Sequence, residues 1–300
     1  VQTCALPICH EMIAFTHYYI VENGESFYLH AGESVPIEDF EVPRVRHNFK
    51  ETSDDKAAWD SLMKAIAEGI SSGEMTKVVS SREVEFTSET PYNVASILAN
   101  LVDNNPNCFI FGYEKDGRTF VGASPEILVR YRGSEILSYA LAGTAPKDGP
   151  NAWTEEQLLT NTKNIIEHNI VRDRIVNTMR QITPHVTVGE TGIMELSHLY
   201  HLRTIITAKD STKSLVEWAK LLHPTPALGG EPREKALALL QEYESHERGM
   251  YAAPFGFMKD MGDGIVVVAI RSALIMDNVL YAYAGCGVVA DSDADRKSVV

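Results

Sequence analysis

The strand-like segments of this sequence occur in groups that long helical segments separate. Parallel strands need a long crossover, usually a helix, between each pair, whereas antiparallel strands can follow one another through short turns. Since no regular strand–helix alternation is visible, the sequence predicts an α+β fold with antiparallel sheets. The strand-like segments are 77–86, 108–113, 119–122, 127–131, 264–276 and 279–284, and we expect the first four to form an antiparallel meander.

Three helices are predicted beside these groups. The second of them is expected over 154–182 and ends before Pro184, and the third begins near Pro232. Residues 11–50 alternate aromatic and polar positions, which favours short strands. The first helix is indicated by apolar residues with the spacing of one helix face, namely Trp59, Leu62, Met63, Ile66 and Ile70.

Composition narrows the class of protein. A chain of 300 residues with 44% hydrophobic residues can bury one large core or two ordinary ones, which excludes a disordered protein. The formal net charge of −14 argues against a nucleic-acid partner, because phosphate binding needs clustered Lys and Arg. The longest strongly apolar run, 264–270, is too short to cross a bilayer, so we expect a cytoplasmic protein without a membrane partner.

The two ends of the sequence look foreign to the rest. Residues 1–8 and 295–300 resemble one sequencing adapter translated from its two strands, so we exclude both from fold reasoning and expect the natural protein to continue beyond them. A zinc site at Cys4, Cys9 and His10 is therefore rejected. The cysteines form no C-x-x-C pair, which favours reduced thiols over a disulfide framework.

Three polar residues stand where their surroundings could support chemistry. Lys77 opens a strand-like run, where burial would lower its pKa and make it a base, although a lysine that reaches solvent has the same pattern. Glu126 follows Pro125, and the bend at this proline can aim the Glu126 carboxyl into a cleft. A glutamate in a solvated turn has the same pattern. Glu167 lies one helical turn after Lys163. The two residues could form a surface ion pair, or Glu167 could be a buried carboxylate that needs a cation.

An arginine and two histidines complete the polar candidates. Arg271 ends the apolar run 266–270, which we interpret as a central strand, and there a guanidinium needs a carboxylate from the protein or from a ligand. His198 and His201 are three residues apart, so on a strand they would point to opposite faces and could not share a metal ion.

Five short segments carry the strongest functional signal: KVVSSR at 77–82, GASPE at 122–126, LAGT at 141–144, KNIIEH at 163–168 and HPTPA at 223–227. With Arg271 and two later glycines, their order and spacing resemble the chorismate-utilising enzymes, which include isochorismate, salicylate, anthranilate and aminodeoxychorismate synthases. The resemblance covers about residues 55–294. It implies a large sandwich of antiparallel sheets wrapped by helices, with the substrate between the sheets.

The resemblance also implies a role for each matching residue. Lys77 would activate a water molecule, and Glu126 would protonate the departing hydroxyl group. Glu167 would bind Mg²⁺, Arg271 would hold a substrate carboxylate, and His201 would lie near the leaving hydroxyl. The remaining matches would shape the pocket or let backbone N–H groups approach the substrate; they are Gly143, Thr144, Ala227, Leu228, Gly285 and Gly287.

These roles favour isochorismate synthase activity, with Mg²⁺ as cofactor, chorismate as substrate and a monomeric enzyme. The ammonia-using branches usually have Gln in place of Lys77, and the anthranilate and salicylate branches commonly have Arg in place of Ala145. Those branches, and a non-catalytic anion-binding protein on the same scaffold, remain the alternatives. The sequence does not separate a menaquinone pathway from a catecholate siderophore pathway, although we favour menaquinone.

The domain prediction assigns 9–50 to a remnant of the amino-terminal part of the fold and 51–294 to the catalytic domain. In the family, the segment after 285–293 leads into a helix with an E-x-x-E-T-x-x-K pattern, whose second Glu is another Mg²⁺ ligand. Here the sequence departs from that pattern at Asp295. We therefore expect the 300-residue chain itself to be inactive and poorly soluble.

Overall fold

A computed structural model describes residues 17–22, 25–30, 33–36, 42, 44–53, 56–259, 261–290 and 292. This part of the chain forms two seven-stranded antiparallel sheets, a three-stranded sheet and six α-helices, which confirms the predicted α+β class. No helix within it is long and apolar enough to span a membrane. The suspected adapter segments, with Cys4, Cys9 and His10, lie outside the described residues.

The first large sheet, sheet I, has the strand order β10-β12-β9-β8-β15-β14, and β11 pairs with β12. All its pairings are antiparallel. Its strands are β8 (Ile127–Arg132), β9 (Glu135–Pro146), β10 (Val186–Val188), β11 (Gly192–Glu195), β12 (Leu199–Lys209), β14 (Pro254–Met258) and β15 (Gly264–Val268).

The second large sheet, sheet II, has the order β13-β5-β17-β16-β7-β6, and β4 pairs with β5. Its strands are β4 (Phe49–Glu51), β5 (Lys77–Ser88), β6 (Phe109–Lys115), β7 (Arg118–Ser124), β13 (Gly230–Glu231), β16 (Ser272–Met276) and β17 (Val279–Val288). The three-stranded sheet contains β1 (His17–Glu22), β2 (Glu25–His30) and β3 (Glu33–Pro36), in agreement with the short strands predicted over 11–50.

Two of the crossovers, the steps by which the chain passes from one large sheet to the other, are neighbours in space. The step from β7 to β8 contains Glu126, and the step from β15 to β16 contains Arg271. Backbone hydrogen bonds join them: Ala123 N–H donates to the Arg271 carbonyl and Val268 N–H to the Glu126 carbonyl, each at 3.1 Å. The crossovers therefore lie side by side where the sheets meet.

These crossovers correct two predictions. The expected meander over 77–131 is wrong, because β5 pairs with β4, β13 and β17, and because β7 and β8 belong to different sheets. The expected strand over 264–276 is two strands. Arg271 lies between them with a φ of +53°, so its predicted place within a strand is also wrong. Nothing in the apolar run signals this break.

The helices are α1 (Lys56–Ser71), α2 (Val94–Asn104), α3 (Glu155–Thr160), α4 (Thr162–Arg180), α5 (Leu215–Leu222) and α6 (Arg233–Tyr243). The predicted first and third helices are confirmed as α1 and α6. The single helix expected over 154–182 is instead α3 and α4, separated at Asn161. The Asn161 side chain accepts a 3.0 Å hydrogen bond from Asn164 N–H, so it caps the start of α4.

Helices α1 and α6 pack on sheet II, and helix α4 packs on sheet I. On one side of sheet II, α1 and α6 cover Val78 and Val288 in a buried cluster. Neighbouring side chains of a strand face opposite ways, so Lys77 faces away from that cluster. Helix α4 packs on β9 and β12 of sheet I, where Val171, Ile175 and Met179 join the main core. The position of α4 thus depends on its buried apolar face.

We predict that Ile175→Ala destabilises the protein by about 2–5 kcal/mol, because Ile175 is only 1% exposed and the truncation leaves a cavity beneath α4. The matched control is Ile166→Ala on the same helix, where the side chain is 45% exposed and the change should stay within about 0.5 kcal/mol. Free energies of unfolding from denaturant titrations give both values. Equal losses at the two positions would contradict the burial of this face.

Candidate active site

A buried ion pair joins sheet II to α4. The Lys77 Nζ atom lies 3.3 Å from Glu167 Oε1, and the Lys77 side chain is 1% exposed. Burial lowers the pKa of Lys77, while the Glu167 charge opposes this effect. A lysine in this setting gives up its proton more readily than one in water, and the solvent-exposed alternative for Lys77 does not hold.

Glu167 has a second lysine partner. The Lys163 Nζ atom lies 2.7 Å from Glu167 Oε2, one turn earlier on α4, and 23% of the Lys163 side chain is exposed. The Glu167 side chain is only 9% exposed. The structure therefore combines both sequence interpretations of Glu167, since the carboxylate is paired along the helix and is also buried.

Gly287 and Gly285 face this site from β17. A Cβ atom added at Gly287 would collide with Glu167 Oε1 and lie 3.1 Å from Lys77 Cε. At Gly285 it would collide with the hydroxyl oxygen of Tyr251, a residue that sequence reasoning missed. The two glycines thus provide the space that the Lys77–Glu167 pair and the Tyr251 hydroxyl occupy.

Glu126 lies in the first crossover and is 2% exposed. Among the described residues, no hydrogen-bond partner meets its Oε1 atom. Burial raises the pKa of Glu126 to about 8, although the charges of Lys77 and Arg271 act in the opposite direction. At neutral pH this carboxyl is therefore mostly protonated and can donate a proton.

Arg271, His201 and Thr144 form a chain of polar contacts beside Glu126. An Arg271 Nη atom contacts His201 Nε2, and His201 Nδ1 lies 2.8 Å from Thr144 Oγ1. Burial and the neighbouring Arg271 lower the pKa of His201 to about 3, so the imidazole is neutral. Because a guanidinium can only donate, Nε2 accepts and Nδ1–H donates to the Thr144 hydroxyl.

The two histidines lie apart, but not because they alternate on one strand as expected, since His198 precedes β12. His201 is buried in β12, whereas His198 is exposed and its Nδ1 atom lies 3.0 Å from Asp148 Oδ2. They cannot share a metal ion. His198 has no contact with the buried group.

The neutral imidazole of His168 fastens α4 to sheet I. Burial lowers the pKa of His168 to about 4. Its Nδ1–H donates to the Ala142 carbonyl at 3.2 Å, and its Nε2 accepts from the Thr204 hydroxyl at 2.7 Å. Gly143 allows this close approach, since its φ is +80° and an added Cβ would lie 3.0 Å from the Asn164 carbonyl oxygen. The neighbouring Glu167 is positioned by the same contacts.

A second buried ion pair, which sequence reasoning missed, lies beside β5. Arg248 Nη2 lies 2.5 Å from Glu244 Oε1, with the two side chains 2% and 5% exposed. Arg248 also donates to the Leu228 and Val79 carbonyls at 2.8 and 2.7 Å. The two residues of the ion pair are four apart in sequence, but the carbonyl acceptors of Arg248 lie 20 and 169 residues away, so no local pattern indicates that the pair is buried. Leu228 belongs to the main core cluster, and the partly buried Ala227 packs against it.

Glu167 is the candidate ligand for a divalent cation. No group of three or more His, Cys, Asp or Glu side chains with metal-site geometry occurs in the described part of the chain. Mg²⁺ commonly uses only one or two carboxylates and completes its shell with water and substrate oxygens. The buried carboxylate of Glu167 fits that requirement. Both of its oxygen atoms are engaged by lysines.

Comparisons with known proteins identify the family of this chain. The family model described as chorismate binding enzyme matches residues 30–298. Isochorismate synthase MenF of Bacillus subtilis (strain 168) is 36% identical over 245 residues, which cover 80% of this chain and 52% of that protein. Anthranilate synthase component 1 of Arthrobacter globiformis is 35% identical over 237 residues, 75% of this chain and 44% of that protein.

The fold agrees as well. The structure of DhbC from Bacillus anthracis matches with a TM-score of 0.80 at 27% identity and covers 94% of this chain and 80% of that one. The chain spans about half the length of the two curated relatives named above, 52% of one and 44% of the other. The family match and the shared fold have the same consequence: the chain belongs to the family of chorismate-binding enzymes.

Proposed function

We propose that this chain carries the catalytic part of an isochorismate synthase, which converts chorismate to isochorismate. The observation that supports it most is a pair of buried groups whose pKa values shift in opposite directions. Burial lowers the pKa of Lys77 and raises the pKa of Glu126 to about 8. Such a pair supplies a base and an acid at the same pH.

The proposed reaction exchanges one ring hydroxyl for another. Neutral Lys77 takes a proton from water as the water oxygen bonds to the ring. Protonated Glu126 gives its proton to the departing hydroxyl, which leaves as water while the ring double bonds rearrange. Lys77 then holds a proton and Glu126 a negative charge, and proton exchange with solvent restores both. No net oxidation occurs, so the step needs no redox cofactor.

The polar chain beside Glu126 suits an anionic substrate. Arg271 presents a guanidinium that can bind a carboxylate through two hydrogen bonds. The neutral His201 ring orients Arg271 without adding a second charge, because burial keeps the pKa of His201 at about 3. We assign Arg271 to a substrate carboxylate and His201 with Thr144 to its support.

We further propose that Mg²⁺ is the cofactor and that Glu167 is one of its ligands. The bound ion would neutralise a substrate carboxylate in a protein whose formal net charge is −14. Glu167 is held for this role by α4, which His168 fixes to β9 and β12. A chorismate-processing enzyme of this kind would act on a soluble metabolite, which suits the cytoplasm and a monomer.

Two residues support this activity over the neighbouring branches of the family. Lys77 is placed as a base for water, where the ammonia-using branches usually have Gln. Ala145 is 1% exposed and packs in an apolar cluster with Leu158 and Leu202. An arginine at this position, as the anthranilate and salicylate branches commonly have, would have no polar partner inside that cluster.

We predict that Lys77→Met in the full-length protein abolishes turnover but leaves chorismate binding within about threefold, because the amine acts in the chemical step and not in holding the anion. Product formation by chromatography and binding by calorimetry separate the two effects. A variant that keeps more than about a tenth of the parent rate would exclude Lys77 as the base.

The pH dependence follows from the two shifted groups. We expect kcat/KM to rise as Lys77 loses its proton, and to fall again as pH rises through about 8, where Glu126 ionises and can no longer donate. Initial rates between pH 6 and 10 in constant-ionic-strength buffers give the profile. Activity that stays level from about pH 7.5 to 9.5 would contradict the proton-donor role of Glu126.

The two carboxyl groups should differ in their effect on cation binding. We predict that Glu167→Gln weakens Mg²⁺ binding at least about tenfold, because it removes a charged oxygen ligand. Glu126→Gln should change the affinity less than about twofold and abolish turnover, since a protonated Glu126 contributes no charge. Calorimetry of both variants at pH 7 makes the comparison. The reverse order of effects would exchange the two assignments.

A further inference from the structure

The pairing of Glu167 with Lys163 is unlike the other lysine–carboxylate pairs on helices. Lys163 Nζ lies 2.7 Å from Glu167 Oε2, and the side chains are 23% and 9% exposed. The difference lies in burial and not in distance. The i,i+4 pairs Lys56–Asp60 and Lys64–Glu68 on α1 have separations of 2.6 and 3.9 Å, and all four of their side chains are more than half exposed. Solvent screens those two exposed pairs, whereas the contact at Glu167 lies mostly out of water.

The two lysines contact different oxygen atoms of the Glu167 carboxylate. Lys77 approaches Oε1, and Lys163 approaches Oε2. A divalent cation that binds this carboxylate would lie within a few ångströms of the Lys163 ammonium, where like charges repel strongly in a poorly hydrated site. One of the two lysines has to move when the cation enters.

The burial of the two lysines decides which one moves. Lys77 is 1% exposed and is enclosed by Glu167 and by the β17 backbone at Gly287. Lys163 lies in the first turn of α4 and keeps 23% of its side chain in contact with solvent. A small rotation of its flexible stem returns the ammonium to water, so Lys163 is the partner that can leave.

We propose that Lys163 is a built-in counter-ion of Glu167 that a divalent cation displaces on binding. Lys163 neutralises and orients the buried carboxylate before the cation arrives, and its release sets the cation affinity. This inference rests on the proposed role of Glu167 as a Mg²⁺ ligand, and it adds an exchange of one cation for another at that residue.

Calorimetric titration of the full chain with MgCl₂ tests the exchange. We expect Lys163→Met and Lys163→Gln to tighten Mg²⁺ binding about tenfold, because the competing ammonium is gone. Lys163→Arg keeps a competing cation and should stay within about twofold of the parent, as should the remote control Lys64→Met. Thermal unfolding of each variant confirms that the fold is intact.

A second measurement separates displacement from a general effect of charge. If Mg²⁺ displaces Lys163, acylation of its amine by an N-hydroxysuccinimide ester should become several-fold faster at saturating Mg²⁺, as measured by peptide mass spectrometry. Acylation of Lys64 in the same sample should not change. An unchanged rate at Lys163 overturns the displacement, even if the neutral variants bind Mg²⁺ more tightly.

The Glu167→Gln variant separates the counter-ion role of Lys163 from the ligand role of Glu167. If Glu167→Gln weakens Mg²⁺ binding while Lys163→Met and Lys163→Gln do not tighten it, the counter-ion role is overturned and the ligand role of Glu167 stands. If Glu167→Gln leaves the affinity unchanged, the cation binds elsewhere and both proposals fail.

Discussion

Two backbone hydrogen bonds at the junction of the large sheets determine the geometry of the site. One joins Ala123 to Arg271 and the other joins Val268 to Glu126, each at 3.1 Å. They hold the two crossovers side by side, so that an acid from one and a guanidinium from the other face the same buried space. Crossovers between sheets interrupt regular pairing, and here the interruption turns both side chains away from ordinary strand positions.

The charge of the site opposes the charge of the whole protein. The formal net charge of the chain is −14, yet in the site Lys77 and Lys163 both contact the carboxylate of Glu167, and Arg271 adds a further positive charge beside His201. Burial keeps Glu126 protonated at neutral pH, so it adds little negative charge. An anion that the protein surface would repel thus meets a basic interior, where low hydration strengthens each contact.

Local patterns predict local structure here, and long-range contacts explain what they miss. The apolar spacing from Trp59 to Ile66 identifies α1, and Pro232 marks the start of α6. The apolar run before Arg271 gives no sign of its break, because the break depends on a hydrogen bond to Ala123 nearly 150 residues earlier. Glu244 and Arg248 have the four-residue spacing of an ordinary surface pair, and their burial is equally hidden because it depends on a contact of Arg248 with Val79 on a distant strand. The polar site residues were found through family resemblance more than through periodicity.

Gly287 ties two elements of the site together. The missing side chain leaves space that Glu167 and Lys77 fill from opposite directions, so any atom added there presses on both. A substitution on β17 at this position therefore cannot move the Lys77 amine without also moving the Glu167 carboxylate. Variation that adapts one of them to a new substrate or cation has to arise from α4 or from the start of β5, and it has to leave residue 287 without a side chain.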